Sequence, residues 1–139
     1  MPKLIILVRR RPDLSHEEFV RHYEERHVPL VLSLMPISGY RRNYVARDTA
    51  FVAAQIEGVT NEVDFDVLTE IWFESEGDLL EAQRTTAGEA GWVLSEDEKK
   101  IFDLRPGAVR FLVVDERITS ADEISAARYA RDRAADTPT

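Results

Sequence analysis

The chain has 139 residues, of which 44% are hydrophobic and 32% charged, and it carries a formal net charge of −8. Its length suits one domain better than two, and its composition is that of a globular chain with a core rather than a disordered one. No apolar run approaches the roughly 18 to 20 residues that span a bilayer, and the acidic balance argues against nucleic acid, which calls for a basic face.

There is no cysteine, so disulfide scaffolds, thiolate metal sites and cysteine nucleophiles are excluded. The opening Met1-Pro2-Lys3-Leu4-Ile5-Ile6-Leu7-Val8 has a basic residue before an apolar run, but Arg9-Arg10-Arg11 ends that run too early for a signal core of about 7 to 15 residues. A cytoplasmic protein is expected. The basic clusters at Arg9 to Arg11 and at Arg41-Arg42 read as ion-paired or solvated surface.

Lys3 to Arg9, continuous and β-branched, predicts a strand central in its sheet. After the Pro12-Asp13-Leu14 turn, Ser15-His16-Glu17-Glu18 is a capping box that opens a helix. Phe19, Tyr23, Leu30 and Leu34 follow at helical spacing. Pro29 lacks a donor and clashes with the carbonyl of Glu25, so the helix should break or kink near Arg26 to Val28 and resume from Pro29 to about Leu34.

Beyond the turn at Pro36 to Gly39, residues Tyr40 to Arg47 predict a second strand, with Tyr40, Arg42 and Tyr44 on one face and Arg41, Asn43 and Val45 on the other. Asp48 to Asp64 has no clean period and reads as a loop. Phe65 to Phe73 is the third strand, and Ser75-Glu76-Gly77-Asp78 caps a helix to about Thr85. A glycine-punctuated stretch, Ala87 to Gly91, leads to a third box, Ser95-Glu96-Asp97-Glu98, and a short helix to about Phe102. Val109 to Asp115 is the fourth strand. Ser120 then caps a helix running to about Ala134, and Asp136 to Thr139 should fray. This last helix has two possible seats, on its own core or on a partner subunit. The order β-α-β-β-α-β defines an α+β, ferredoxin-like fold. The sheet face that the helices leave bare predicts a homodimer.

Three histidines are the first candidates for chemistry. At about 100° per residue from Phe19, Tyr23 lies near 40°, His27 near 80° and His22 near 300°, so His27 is on the buried side and His22 at its margin. His16 and His22 are six apart, about 240° around a helix, where a shared zinc site needs a spacing of four. No metal is expected. His27 has two readings, a core histidine satisfied by backbone, or a general acid or base lining a cavity.

Tyr40, Tyr44 and Arg42 form a second cluster, in which a tyrosine could hydrogen-bond a carbonyl or enolate oxygen, or simply pack in a core or interface. Trp72 and Trp92 share that ambiguity. Asp97 falls in the first turn of the expected third helix, where the helix dipole favours a negative charge. The chain has no P-loop, G-x-G-x-x-G or G-x-S-x-G.

Leu4 to Arg11, followed by Pro12-x-Leu14-Ser15-x-Glu17-Glu18-Phe19, Tyr23 and His27-Val28-Pro29-Leu30, resembles the N-terminal signature of EthD-domain proteins. Asp66-Val67-Leu68-Thr69-Glu70-Ile71-Trp72-Phe73 is similar to that family's D-G-x-x-E-x-W-F strand, with Val67 where glycine is usual. The resemblance covers Lys3 to about Arg117. It divides the chain into an EthD-like ferredoxin-fold domain, 1–118, and a helical extension with a frayed tail, 119–139.

The resemblance implies a dimeric α+β barrel with a small-molecule cavity between sheet and helices. It also implies a functional role for His27, matching a histidine near the end of the first helix in related lactone isomerases and dehydratases. Family functions are scattered, and kinship of fold does not choose among them. The expectation is a lyase or isomerase without a cofactor, acting on a small oxygenated aromatic, polyketide-like or lactone compound. His27 would be the base, Tyr40 or Tyr44 the enolate donor and Asp97 the second acid, with Tyr23, Arg42, Trp72 and Trp92 holding the substrate. The rivals are a non-catalytic small-molecule binding protein and a cofactorless monooxygenase.

Overall fold

In the computed structural model, which describes residues 1–46 and 63–136, ten elements follow one another. Strand β1 (Lys3–Val8) leads to α1 (His16–His22), a π-helical turn (Tyr23–His27) and α2 (Val28–Leu34). Strands β2 (Gly39–Tyr44) and β3 (Val67–Trp72) precede α3 (Glu76–Ala87) and α4 (Glu89–Glu98). Strand β4 (Val109–Val114) and α5 (Ala121–Ala135) complete the chain. The end of the expected second strand at Arg47, all but the last two residues of the expected loop from Asp48, and positions 137–139 lie outside the described residues.

The strands make one antiparallel sheet in the order β2-β3-β1-β4, with Lys3 opposite Trp72 on one side and Val114 on the other. This is the ferredoxin-like arrangement, with the apolar β1 in the interior as its run of branched residues requires. Alternation along the strands gives each residue a face. Val8, Val67 and Ile71 are buried toward the helices, where Phe19, Tyr23, Val28, Ile101, Phe102, Phe73 and Ala82 complete two adjoining core clusters. On the other face Lys3 bridges Glu70 and Glu116, and Trp72 packs over Gly39. A Cβ at Gly39 would stand 3.0 Å from the Trp72 ring, so glycine is what lets the two meet.

The capping box at Ser15 forms as expected, its hydroxyl accepting from the Glu18 amide while the Glu18 carboxylate accepts from the Ser15 amide. The helix does not break before Pro29. The backbone stays right-handed at His27 (φ −70°, ψ −47°) and Val28 (φ −57°, ψ −50°), and the Val28 amide bonds back five residues to the Tyr23 carbonyl. A π turn is wider than an α turn, and this relieves the crowding that proline imposes on the preceding turn.

Residues 87–102 also depart from the expected pattern. The glycine-punctuated stretch is not a linker, and Ser95 caps nothing; α4 runs continuously from Glu89 to Glu98 with Gly91 inside it. A Cβ at Gly91 would stand 1.8 Å from the Thr86 carbonyl oxygen. The glycine therefore marks a close approach of α4 to the end of α3, not a loop. Helix α5, capped by Ser120 as expected, is exposed along its whole length and so does not pack on the chain's own core. Among the described residues no helix is long and apolar enough to cross a membrane.

Candidate active site

Between the helices and the sheet lies a cavity of about 420 Å³. Its walls are largely apolar, with Leu4, Ile6 and Ile71 from the sheet and Val31, Ala82 and Leu94 from the helices. Among the described residues, polar groups enter at a few points, from His27, Tyr23, Tyr40, Glu98, Gln83 and Thr86. Few polar groups in an apolar hollow is the usual composition of a small-molecule site.

His27 ends the π turn and is buried, its ring 5.0 Å from that of Tyr23 and 5.5 Å from that of Phe102. These two neighbours fix the rotamer. Nδ1 lies 3.2 Å from Asp97 Oδ2, while Asp97 Oδ1 lies 2.8 Å from His22 Nε2. An ionised carboxylate only accepts, so Nδ1 donates and the lone pair is left on Nε2. Nε2 has no partner among the described residues, and the ring borders the cavity. Burial lowers the His27 pKa from its usual 6.5, against the opposing pull of the hydrogen-bonded Asp97. The imidazole is thus neutral and basic near neutral pH.

The two histidines reach one carboxylate because of the π turn. Five residues span about 500° of a regular α-helix, which leaves side chains roughly 140° apart, whereas the i→i+5 bonding of a π turn unwinds the backbone and brings them closer to one side. Asp97 itself is not a first-turn charge. It sits in the last turn of α4, where the dipole opposes a negative charge, and two imidazoles compensate.

Tyr40 borders the cavity, as does Tyr23, whose hydroxyl lies 2.7 Å from Thr69 Oγ1. A phenolic hydroxyl rotates, so the Tyr40 O–H can turn to donate into the cavity. Burial holds the Tyr40 pKa well above that of a free phenol, so it remains a donor.

Tyr44 and Arg42 turn out to be occupied elsewhere. The Tyr44 hydroxyl donates to Glu24 Oε2 at 2.5 Å, and the Arg42 guanidinium grips both oxygens of the same carboxylate at 2.8 and 2.7 Å. This bidentate clamp ties β2 to the π turn, and neither side chain lines the cavity. Trp72 stands on the opposite sheet face between Lys3 and Arg41, and Trp92 is 65% exposed on α4. Neither reaches the cavity that Tyr23 lines. Asp97 does not line the cavity either, and lies behind His27 against Nδ1.

Glu98 is the residue that the sequence pattern concealed. Once α4 is seen to begin at Glu89, Gly91, Leu94 and Glu98 fall on one helical face, and a carboxyl on such an apolar stripe is the available signal. Burial, aided by the neighbouring Asp97 charge, pushes the Glu98 carboxyl up to about 7. The cavity therefore joins a neutral imidazole base with a carboxyl that is still partly protonated near neutrality. Among the described residues no group of three or more His, Cys, Asp or Glu is arranged to hold a metal ion.

Comparison with known proteins places this geometry in a family, since the EthD domain matches residues 11–105. The chain belongs to the EthD family. The EthD-family protein of Bacillus halodurans C-125 is similar in structure, with a TM-score of 0.56, 16% identity, and coverage of 84% of this chain and 100% of its own. A protein of Arabidopsis thaliana gives a TM-score of 0.56 at 15% identity, covering 86% of this chain and 99% of its own. At such identities the likeness is one of fold. None of the curated proteins compared matches the chain. The EthD match ends before β4 and α5, so it includes every polar residue of the cavity but not the exposed last helix.

Proposed function

We propose that this EthD protein is a lyase of the dehydratase kind, or an isomerase, that works without a cofactor on a small oxygenated, partly apolar molecule. The observation that carries the reading is His27, buried at the cavity wall with Nδ1 committed to Asp97 and Nε2 open. For a β-hydroxy carbonyl substrate, Nε2 takes the proton next to the carbonyl, and Tyr40 donates to the developing enolate oxygen. Protonated Glu98 gives its proton to the β-hydroxyl, which leaves as water as the C=C bond forms. The His27 proton then returns to the Glu98 carboxylate. An isomerase would use the same base and return the proton to another carbon. General acid–base catalysis of this kind contributes about 10²- to 10⁴-fold.

A homodimer and a cytoplasmic location are parts of the proposal. Ile5, Leu7, Leu68, Leu112 and Val114 lie on the sheet face that no helix among the described residues covers, and a second copy would bury them.

The test is a panel of aryl β-hydroxyketones followed by NMR in deuterium oxide, for water loss and for deuterium uptake next to the carbonyl. Wild-type protein should show both, and His27→Ala should lose about 10²- to 10⁴-fold. Tight binding with no uptake or water loss would instead mark a binding protein. Oxygen consumption with a phenolic substrate would mark a monooxygenase.

A further inference from the structure

His22 is a group the reaction above does not use. It sits at the end of α1 with its side chain 25% exposed. It opens onto a surface recess rather than the cavity. Glu18, Arg21, Glu25 and Arg26 from its own helical segment border that recess, with Lys100 from the turn after α4. Yet its Nε2 reaches inward to Asp97 Oδ1 at 2.8 Å, the shorter of the two imidazole contacts to that carboxylate.

A carboxylate can swing about its Cβ–Cγ bond, and one donor alone does not fix where its second oxygen points. Asp97 is also placed at the end of α4 where the helix dipole does not help to hold a carboxylate. His22 supplies the missing constraint. By occupying Oδ1 it leaves Oδ2 aimed at His27 Nδ1, which sets the imidazole in the tautomer with its lone pair on Nε2. The π turn favours this geometry, because a regular α-helix would set His22 and His27 about 140° apart.

We propose that His22 is a positioning residue, which holds Asp97 from the protein surface and so fixes His27 as the Nδ1–H tautomer facing the cavity. The inference rests on His27 being the base proposed above. The required feature is a donor at the Nε2 position, not a titratable ring. Glutamine places an amide nitrogen the same number of bonds from the backbone, so His22→Gln should preserve the arrangement and His22→Ala should not.

The test is long-range ¹H–¹⁵N NMR of the histidine rings in ¹⁵N-histidine-labelled full-length protein, which requires no substrate. Wild-type and His22→Gln should show His27 protonated at Nδ1 and bare at Nε2. His22→Ala should show a mixture of tautomers. Turnover on any substrate found should follow the same division, falling by up to about 10²-fold in His22→Ala, as for a misplaced catalytic group, and staying near wild type in His22→Gln. An unchanged His27 signature in His22→Ala would overturn the proposal, as would a His22→Gln protein that is folded but resembles His22→Ala. If the tautomers behave as stated and no member of the ketone panel reacts, the positioning role stands and the lyase reading falls.

Discussion

Glu24 and Asp97 are two carboxylates that join the first helical segment to a neighbour, one to β2 and the other to α4. Glu24 is met by a guanidinium and a phenol, both strong donors with no basic lone pair to spare, and every group in that cluster is spent on its neighbours. Asp97 is met by two imidazoles, each of which donates from one nitrogen and keeps another. The first arrangement is a clamp. The second leaves a base at the wall of a cavity, and that difference separates structure from chemistry within a few residues of one another.

Substitutions should separate the two clusters. The largest effect belongs to His27→Ala, which should lower turnover by about 10²- to 10⁴-fold. Asp97→Asn should approach it, since the amide no longer dictates which His27 nitrogen carries the proton, and steady-state kinetics would show the fall in kcat. On the clamp side, Tyr44→Phe should cost about 1 to 2 kcal/mol in denaturant unfolding, the range for a partly exposed hydrogen bond to a charged group, and should leave turnover near wild type. A turnover loss in Tyr44→Phe as large as that in His27→Ala would erase the distinction.

The pH dependence sharpens the same contrast. Turnover should rise as His27 loses its proton, below the usual 6.5, and fall as Glu98 ionises near 7, which gives a narrow bell in kcat/KM. For stability the signs run oppositely. Glu98, raised from 4.5 to about 7, contributes stability that is full below 4.5 and lost as pH climbs through 7. Glu24, lowered chiefly by Arg42 and then by Tyr44, contributes stability present above 4.5 and lost as pH falls below it. Urea titrations of Glu98→Gln and Glu24→Gln across pH 3 to 8 would resolve the two, since each variant should flatten its own limb. The smallest effect is that of Trp92→Ala, an exposed site outside the cavity, which should change stability by less than about 0.5 kcal/mol.

Much of the fold could be read from local chemistry. The serine caps at 15, 75 and 120, the branched run of β1 and the alternation of β2 each depend on neighbours in sequence. What failed depended on distant partners. Gly91 looked like punctuation because its reason for being glycine is the Thr86 carbonyl of another helix. Ser95 to Glu98 fit a capping box, but that pattern also occurs inside a helix whose start lies upstream. Proline at 29 forecast a disturbance, and only the structure shows it as a π turn that swings His22 toward the side His27 occupies. In the site, His27 and Tyr40 stood out in sequence as candidates for chemistry and both line the cavity, while Tyr44 and Arg42 shared Tyr40's face. That Glu24 would absorb both of them could not be read from periodicity, since it requires the distance between helix and strand.

The most direct measurement compares deuterium uptake next to the carbonyl of a bound ketone in Asp97→Asn and Glu24→Gln. If the Asp97 cluster carries the chemistry and the Glu24 cluster only the fold, uptake should collapse in Asp97→Asn and persist in Glu24→Gln. Equal uptake in the two variants would contradict the account.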